Sequence, residues 1–180
     1  MKITLTIMGT DSAMPISVRN PSAQVLNVHS HLYLIDCGEG TQQQMRRAHL
    51  SFVRVDAIFL SHLHGDHLFG LFGLLNTMAM YGRSGEIHIF GPKGLEKVID
   101  FYIENFSDGD PYAIVPHILS PEGKEEVYRT KNMTVSAFPL DHKIDCCGYR
   151  FDFPSEGKSF AYCSDTRPLD GLAECVRGVD

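Results

Sequence analysis

The stretch from Val55 to His67 constrains this chain more than any other. Val55-Asp56-Ala57-Ile58-Phe59-Leu60 is apolar and rich in β-branched and aromatic side chains, which predicts a buried strand. It runs without a break into Ser61-His62-Leu63-His64-Gly65-Asp66-His67. A rigid strand followed by a loop is a good way to project several side chains into one place. Imidazole suits zinc, and a carboxylate beside it can bind a second ion or orient a water. Gly65 removes a side chain where the loop must bend. A solvated polar loop would explain the same residues, but its flanks would be polar, and here both flanks are strongly apolar. His62, His64, Asp66 and His67 are therefore read as a ligand cluster.

One segment cannot close a two-metal site, so partners are sought elsewhere. His142, in Phe138-Pro139-Leu140-Asp141-His142, and Asp165, in Tyr162-Cys163-Ser164-Asp165-Thr166, both follow predicted strands and are the candidates. The chain has nine histidines in 180 residues, and the others receive structural readings. His29 and His31 flank a hairpin turn, His49 ends a helix where a cation favours the dipole, and His88 and His117 lie within strands.

The remaining sequence reads as α+β. Strands are expected at 3–8, 23–28 and 32–35, with Met1 and Lys2 continuing the first alternation. Thr41 as N-cap and Gln44 three residues later predict a capping box and a helix through His49. A buried helix is expected over 68–80 and a strand over 86–90. Leu95, Val98, Ile99, Tyr102, Ile103 and Phe106 recur at helical spacing. After a break at Ser107-Asp108-Gly109-Asp110-Pro111, strands are expected at 112–119, 125–129, 133–138, 147–153 and 159–163, then a helix over 169–177. Strand runs with interspersed helices argue for one domain over 1–180, two sheets with helices packed outside them.

Composition narrows the setting. A net charge of -6 argues mildly against a general nucleic-acid-binding surface. The five cysteines form no CxxC pair, and adjacent Cys146 and Cys147 point to opposite faces of a strand, so reduced thiols in a cytoplasmic protein are expected. No segment reaches membrane-spanning length, and the N-terminus lacks the apolar run of a signal peptide.

Ser61 to His67 resembles the HxHxDH signature of the metallo-β-lactamase superfamily. Asp36-Cys37-Gly38-Glu39-Gly40-Thr41-Gln42, Gly70-Leu71-Phe72-Gly73-Leu74-Leu75, Gly91-Pro92-Lys93-Gly94-Leu95, Pro139-Leu140-Asp141-His142 and Ser164-Asp165-Thr166-Arg167-Pro168 occur in the order typical of ribonuclease Z. Together they resemble that family, the tRNA 3′-processing endonucleases. The resemblance implies an αββα sandwich and two Zn2+ ions, with Mn2+ or Fe2+ as substitutes. It implies that His62, His64 and His142 hold one metal, that Asp66 and His67 hold the other, and that Asp165 bridges them. Asp66 would also accept a proton during catalysis, and Asp36 would support the ligands from behind. Lys143 and Arg167, beside the expected ligands, are candidate phosphate contacts.

The implied reaction is phosphodiester hydrolysis of precursor tRNA by a protein that also forms a homodimer. Two features set this chain apart. The family's further zinc-binding histidine, and the last strand and helix of its sandwich, are expected beyond the segment that resembles 176–180. The spacing from Gly148 to Phe160 leaves room only for a tight strand connection, where the family carries an arm that grips the tRNA elbow. Two other readings therefore stand: an arm-less hydrolase of small phosphodiesters or other esters, and a non-catalytic metal-binding fragment.

Overall fold

A computed structural model describes residues 3–14, 16–107 and 109–180, so the expectations for Met1, Lys2 and Asp108 lie outside the described residues. The chain divides into two compact units, Met1–Ile118 and Leu119–Asp180.

The first unit is built on a six-stranded sheet. Strands β1 (Ile3–Gly9), β2 (Ala23–Val28) and β3 (His31–Ile35) form an antiparallel meander. From β3 the sheet turns parallel through β4 (Val55–Phe59) and β5 (Ile87–Pro92), and β6 (Ile114–Leu119) follows β5 in the order. Parallel neighbours need a crossover, and helices supply it. Helix α1 (Thr41–Arg47) links β3 to β4, α2 (Gly65–Leu68) and α3 (Leu71–Met80) link β4 to β5, and α4 (Leu95–Phe106) leads to β6. Strand β4 is apolar on both faces because both are covered, which is why its sequence shows no alternation. On one face Ile58 and Leu60 join Val25, Leu34, Ile87 and Ile89 against Met45, Leu71, Leu75, Met78, Ile99 and Tyr102 from the helices. On the other, Phe59 stacks on Phe90 at 5.0 Å between ring centroids.

The helix expectations over 41–49 and 68–80 are corrected. The capping box at Thr41 and Gln44 does not form: the N-cap is Gly40, at φ 80, without a side-chain cap. Thr41 Oγ1 donates instead to the Gly38 carbonyl at 2.6 Å, and the Gln44 amide reaches Asn20. The loop from 36 to 40 is already held by backbone bonds, with Gly38 N–H donating to Ser22 O at 2.9 Å, so a left-handed glycine makes the turn into the helix. At its other end α1 stops at Arg47, and His49 takes the left-handed position of a Schellman motif, with Leu50 N–H donating to Met45 O. The helix expected over 68–80 is two helices, broken where Gly70 N–H donates to Cys37 O at 2.9 Å.

The second unit is a four-stranded antiparallel sheet in the order β10-β9-β8-β7, comprising β7 (Glu125–Arg129), β8 (Thr134–Pro139), β9 (Cys147–Phe153) and β10 (Lys158–Tyr162). Residues 154–157 are all that separate β9 from β10, which is the tight connection the spacing implied. The final helix, α5 (Leu172–Cys175), is shorter than expected; Leu172, Cys175 and Val176 pack on Phe138, Leu140 and Cys146. Arg150 ties down the segment after it, donating to Arg177 O at 2.6 Å while its Nε–H holds Asp152 at 2.9 Å. Burial pushes the Cys147 thiol up to about 12, and no disulfide links the five cysteines. Among the described residues no helix is long and apolar enough to cross a membrane.

Gly38 and Gly70 let two backbones meet: a Cβ on Gly70 would lie 2.1 Å from Gly38 O, and one on Gly38 would lie 2.4 Å from Asp66 O. Gly70→Ala should therefore lower the unfolding free energy by about 1–3 kcal/mol, the usual cost of overpacking. Gly85→Ala, where an added Cβ meets nothing within 4 Å, should stay within about 0.5 kcal/mol. Urea denaturation of the two variants compares them directly; equal midpoints would contradict the close approach.

Candidate metal centre

Adjacent parallel strands set up the centre at their carboxyl ends. Asp36, the residue after β3, donates its N–H to Phe59 O at 2.9 Å, and Leu60 N–H donates to Phe90 O at 2.8 Å, so pairing continues to the edge of the loop. Asp36 and Ser61 thus emerge side by side. Asp36 is fully buried and sits at φ 55, a left-handed conformation that Asp tolerates better than most residues.

The Asp36 carboxylate organises what surrounds it. Its Oδ1 accepts the Ser61 N–H at 2.7 Å, and its Oδ2 accepts the Ser61 hydroxyl at 3.0 Å. The same Oδ2 lies 2.7 Å from His67 Nδ1. Ser61 Oγ in turn lies 3.0 Å from His62 Nδ1. A carboxylate only accepts, so His67 must donate from Nδ1. The Ser61 hydroxyl spends its proton on Asp36 and can only accept from His62, so His62 also carries its proton on Nδ1. A ring protonated on Nδ1 alone keeps its lone pair on Nε2. Carboxylate-backed imidazoles of this kind are the usual support behind metal ligands.

Helix α2 places the next two groups. His64 is its N-cap residue, and Asp66 and His67 lie in its single turn. The turn is pinned to the loop after β3 by Cys37 N–H donating to His67 O at 2.8 Å. The His62 ring centroid lies 4.7 Å from that of His64 and 4.1 Å from that of His67. Asp66 Oδ2 is 3.5 Å from His67 Nε2, and the two side chains are 9% and 5% exposed, so this carboxylate is largely withdrawn from water. The first unit therefore brings His62, His64, Asp66, His67 and Asp36 together.

The second unit brings His142 and Asp165 together, with His142 Nε2 3.9 Å from Asp165 Oδ2. His62 and His64 each offer a ligand atom within 4.8 Å of the other, and so do His142 and Asp165. Imidazole nitrogens with carboxylate oxygens fit zinc, and also manganese or ferrous iron. Lys143 is exposed beside His142. Arg167 has a specific partner, its guanidinium donating to Asp141 Oδ1 at 2.7 Å. Sequence reasoning gave Ser61 no role, although it links Asp36 to His62. The available signal was a hydroxyl closing an apolar strand directly before the first histidine.

A family model described as a beta-lactamase superfamily domain matches residues 31–180. A ribonuclease Z of Bacteroides fragilis is 43% identical over 150 residues, covering 83% of this chain and 49% of the relative. One of Parabacteroides distasonis is 44% identical over 179 residues, covering 98% of this chain and 59% of the relative. The chain thus spans about half the length of these curated relatives. The crystal structure of human tRNase Z, short form, aligns with a TM-score of 0.89 at 32% identity, over 98% of this chain and 74% of that one. The α+β metallo-β-lactamase fold expected from the motifs is the fold this chain has.

Asp36→Ala would leave the buried Ser61 N–H and hydroxyl and the His67 Nδ1–H without their acceptor. With about 1–3 kcal/mol for each buried polar group so stranded, the metal-free protein should lose about 2–4 kcal/mol. Asp36→Asn, which keeps Oδ1, should lose less. Equal denaturation midpoints for Asp36→Ala and wild type in excess chelator would show that the carboxylate organises nothing.

Proposed function

The chain belongs to the ribonuclease Z family within the beta-lactamase superfamily, and on that footing we propose that it is a divalent-metal-dependent phosphodiesterase acting on precursor tRNA 3′ trailers. In this reading the two units together make one metallo-β-lactamase domain. One observation carries the proposal: Asp36 and Ser61 fix the Nδ1 atoms of His67 and His62, so both rings offer Nε2 beside His64 and Asp66. His62, His64 and His142 would hold one metal, Asp66 and His67 the other, and Asp165 would bridge them. Zinc is the proposed metal, with manganese or iron as substitutes.

Bound divalent metals acidify water and offset charge on phosphoryl oxygens. The protein's own contribution is positional. Asp66 would accept the proton of the attacking water, and its low exposure keeps that transfer apart from bulk solvent. Asp36 would hold His67 in one tautomer throughout. Lys143 would be a candidate contact for substrate phosphate. A homodimer in the cytoplasm is the proposed assembly and setting.

The short β9–β10 connection favours a second reading, an arm-less hydrolase of small phosphodiesters. Assays of precursor tRNA and bis(p-nitrophenyl) phosphate side by side separate the two. The ribonuclease reading expects trailer removal; aryl diester turnover with intact precursor tRNA would favour the second. In either case His64→Ala should reduce hydrolysis to background in a folded protein, and undiminished turnover would sink the site assignment. Metal analysis completes the test, since the proposal expects two ions per chain.

A further inference from the structure

The loop carrying His142 and the loop carrying Asp165 leave strands that are not neighbours, because β9 lies between β8 and β10. They are nevertheless joined. Arg167 N–H donates to Asp141 O at 2.9 Å, and Asp141 N–H donates to Thr166 Oγ1 at 3.0 Å. The Arg167 guanidinium completes the link at Asp141 Oδ1, 2.7 Å away. Within the first loop, Leu140 N–H donates to Cys146 O at 3.0 Å, closing it on itself. These contacts involve the residue before His142 and the two residues after Asp165, so they set the spacing at which those two side chains stand, 3.9 Å.

We propose that Arg167 is a positioning residue: with Asp141 it latches the two ligand-bearing loops together and holds His142 and Asp165 at the separation a metal requires. This rests on the reading above that His142 and Asp165 are ligands. Metal geometry tolerates displacements of only about 0.5 Å. An exposed ion pair adds little to global stability, so its effect should appear in metal affinity and not in folding.

The test uses the full-length protein, with Zn2+ affinity read by competition against a chromophoric chelator. Arg167→Met and Asp141→Asn should each weaken the metal held by His142 and Asp165 about 10–100-fold, the range for losing support behind a ligand. The double variant should be no worse than either single one, and KM for bis(p-nitrophenyl) phosphate at saturating Zn2+ should change less than about twofold. Melting temperatures in excess chelator should coincide with that of wild type. If Arg167→Met instead leaves Zn2+ affinity intact and raises KM, with Asp141→Asn silent, Arg167 is a phosphate contact and the latch is overturned. Unchanged affinity in both variants overturns it as well. His142→Ala distinguishes the two levels of failure: if it too leaves Zn2+ binding unchanged, the ligand assignment is what fails.

Discussion

The centre depends on one buried carboxylate. Asp36 is wholly removed from water and both its oxygens accept from Ser61, where the histidine loop begins. Removing a charged group from water is costly unless it is well bonded, and donors from Ser61, His67 and Ser22 meet that condition here. Because Oδ2 also accepts from His67, the same group that closes the loop onto the sheet fixes a ring on the far side of the loop. Loop conformation and ring orientation are therefore a single equilibrium, and a change at Asp36 reaches both.

That coupling needs the chain to pass close to itself. The segment after β3 lies directly under α2, with Cys37 bonded on one side to His67 O and on the other to Gly70 N. Only glycine at 38 and 70 allows this separation. The twin glycines and the carboxylate are thus parts of one arrangement: close backbone contact positions α2, and Asp36 then selects which nitrogen each imidazole presents. In the second unit the link is made differently, by an exposed salt bridge and a backbone bridge between two loops.

Much of this was legible in the residues. Strands 125–129 and 147–153 fall at their expected positions, and the apolar run ending at Ser61 is the strand that leads into the histidine loop. The brevity of the β9–β10 connection could be counted directly. What could not be read were interactions between distant residues. Thr41 and Gln44 have the form of a capping box, but Gly38 and Asn20 compete for their side chains once the sheet is folded. Arg83 is only 5% exposed and donates to the carbonyls of Val53, Val55, Gly85 and Glu86, partners that no local pattern names. Arg167 donates to Asp141, 26 positions away, a partner that no local pattern announces. Local pattern reports propensity and burial; it carries no information about which carbonyl or carboxylate will arrive from another element.

The central claim is that Asp36 and Ser61 determine which atom of each histidine binds metal. Anomalous diffraction at the zinc edge from crystals of the zinc-loaded protein tests it directly. Peaks bonded to Nε2 of both His62 and His67, with Nδ1 still facing Ser61 and Asp36, are the expected result. Zinc bound through Nδ1 of either ring, or no anomalous peak at these side chains, would contradict it.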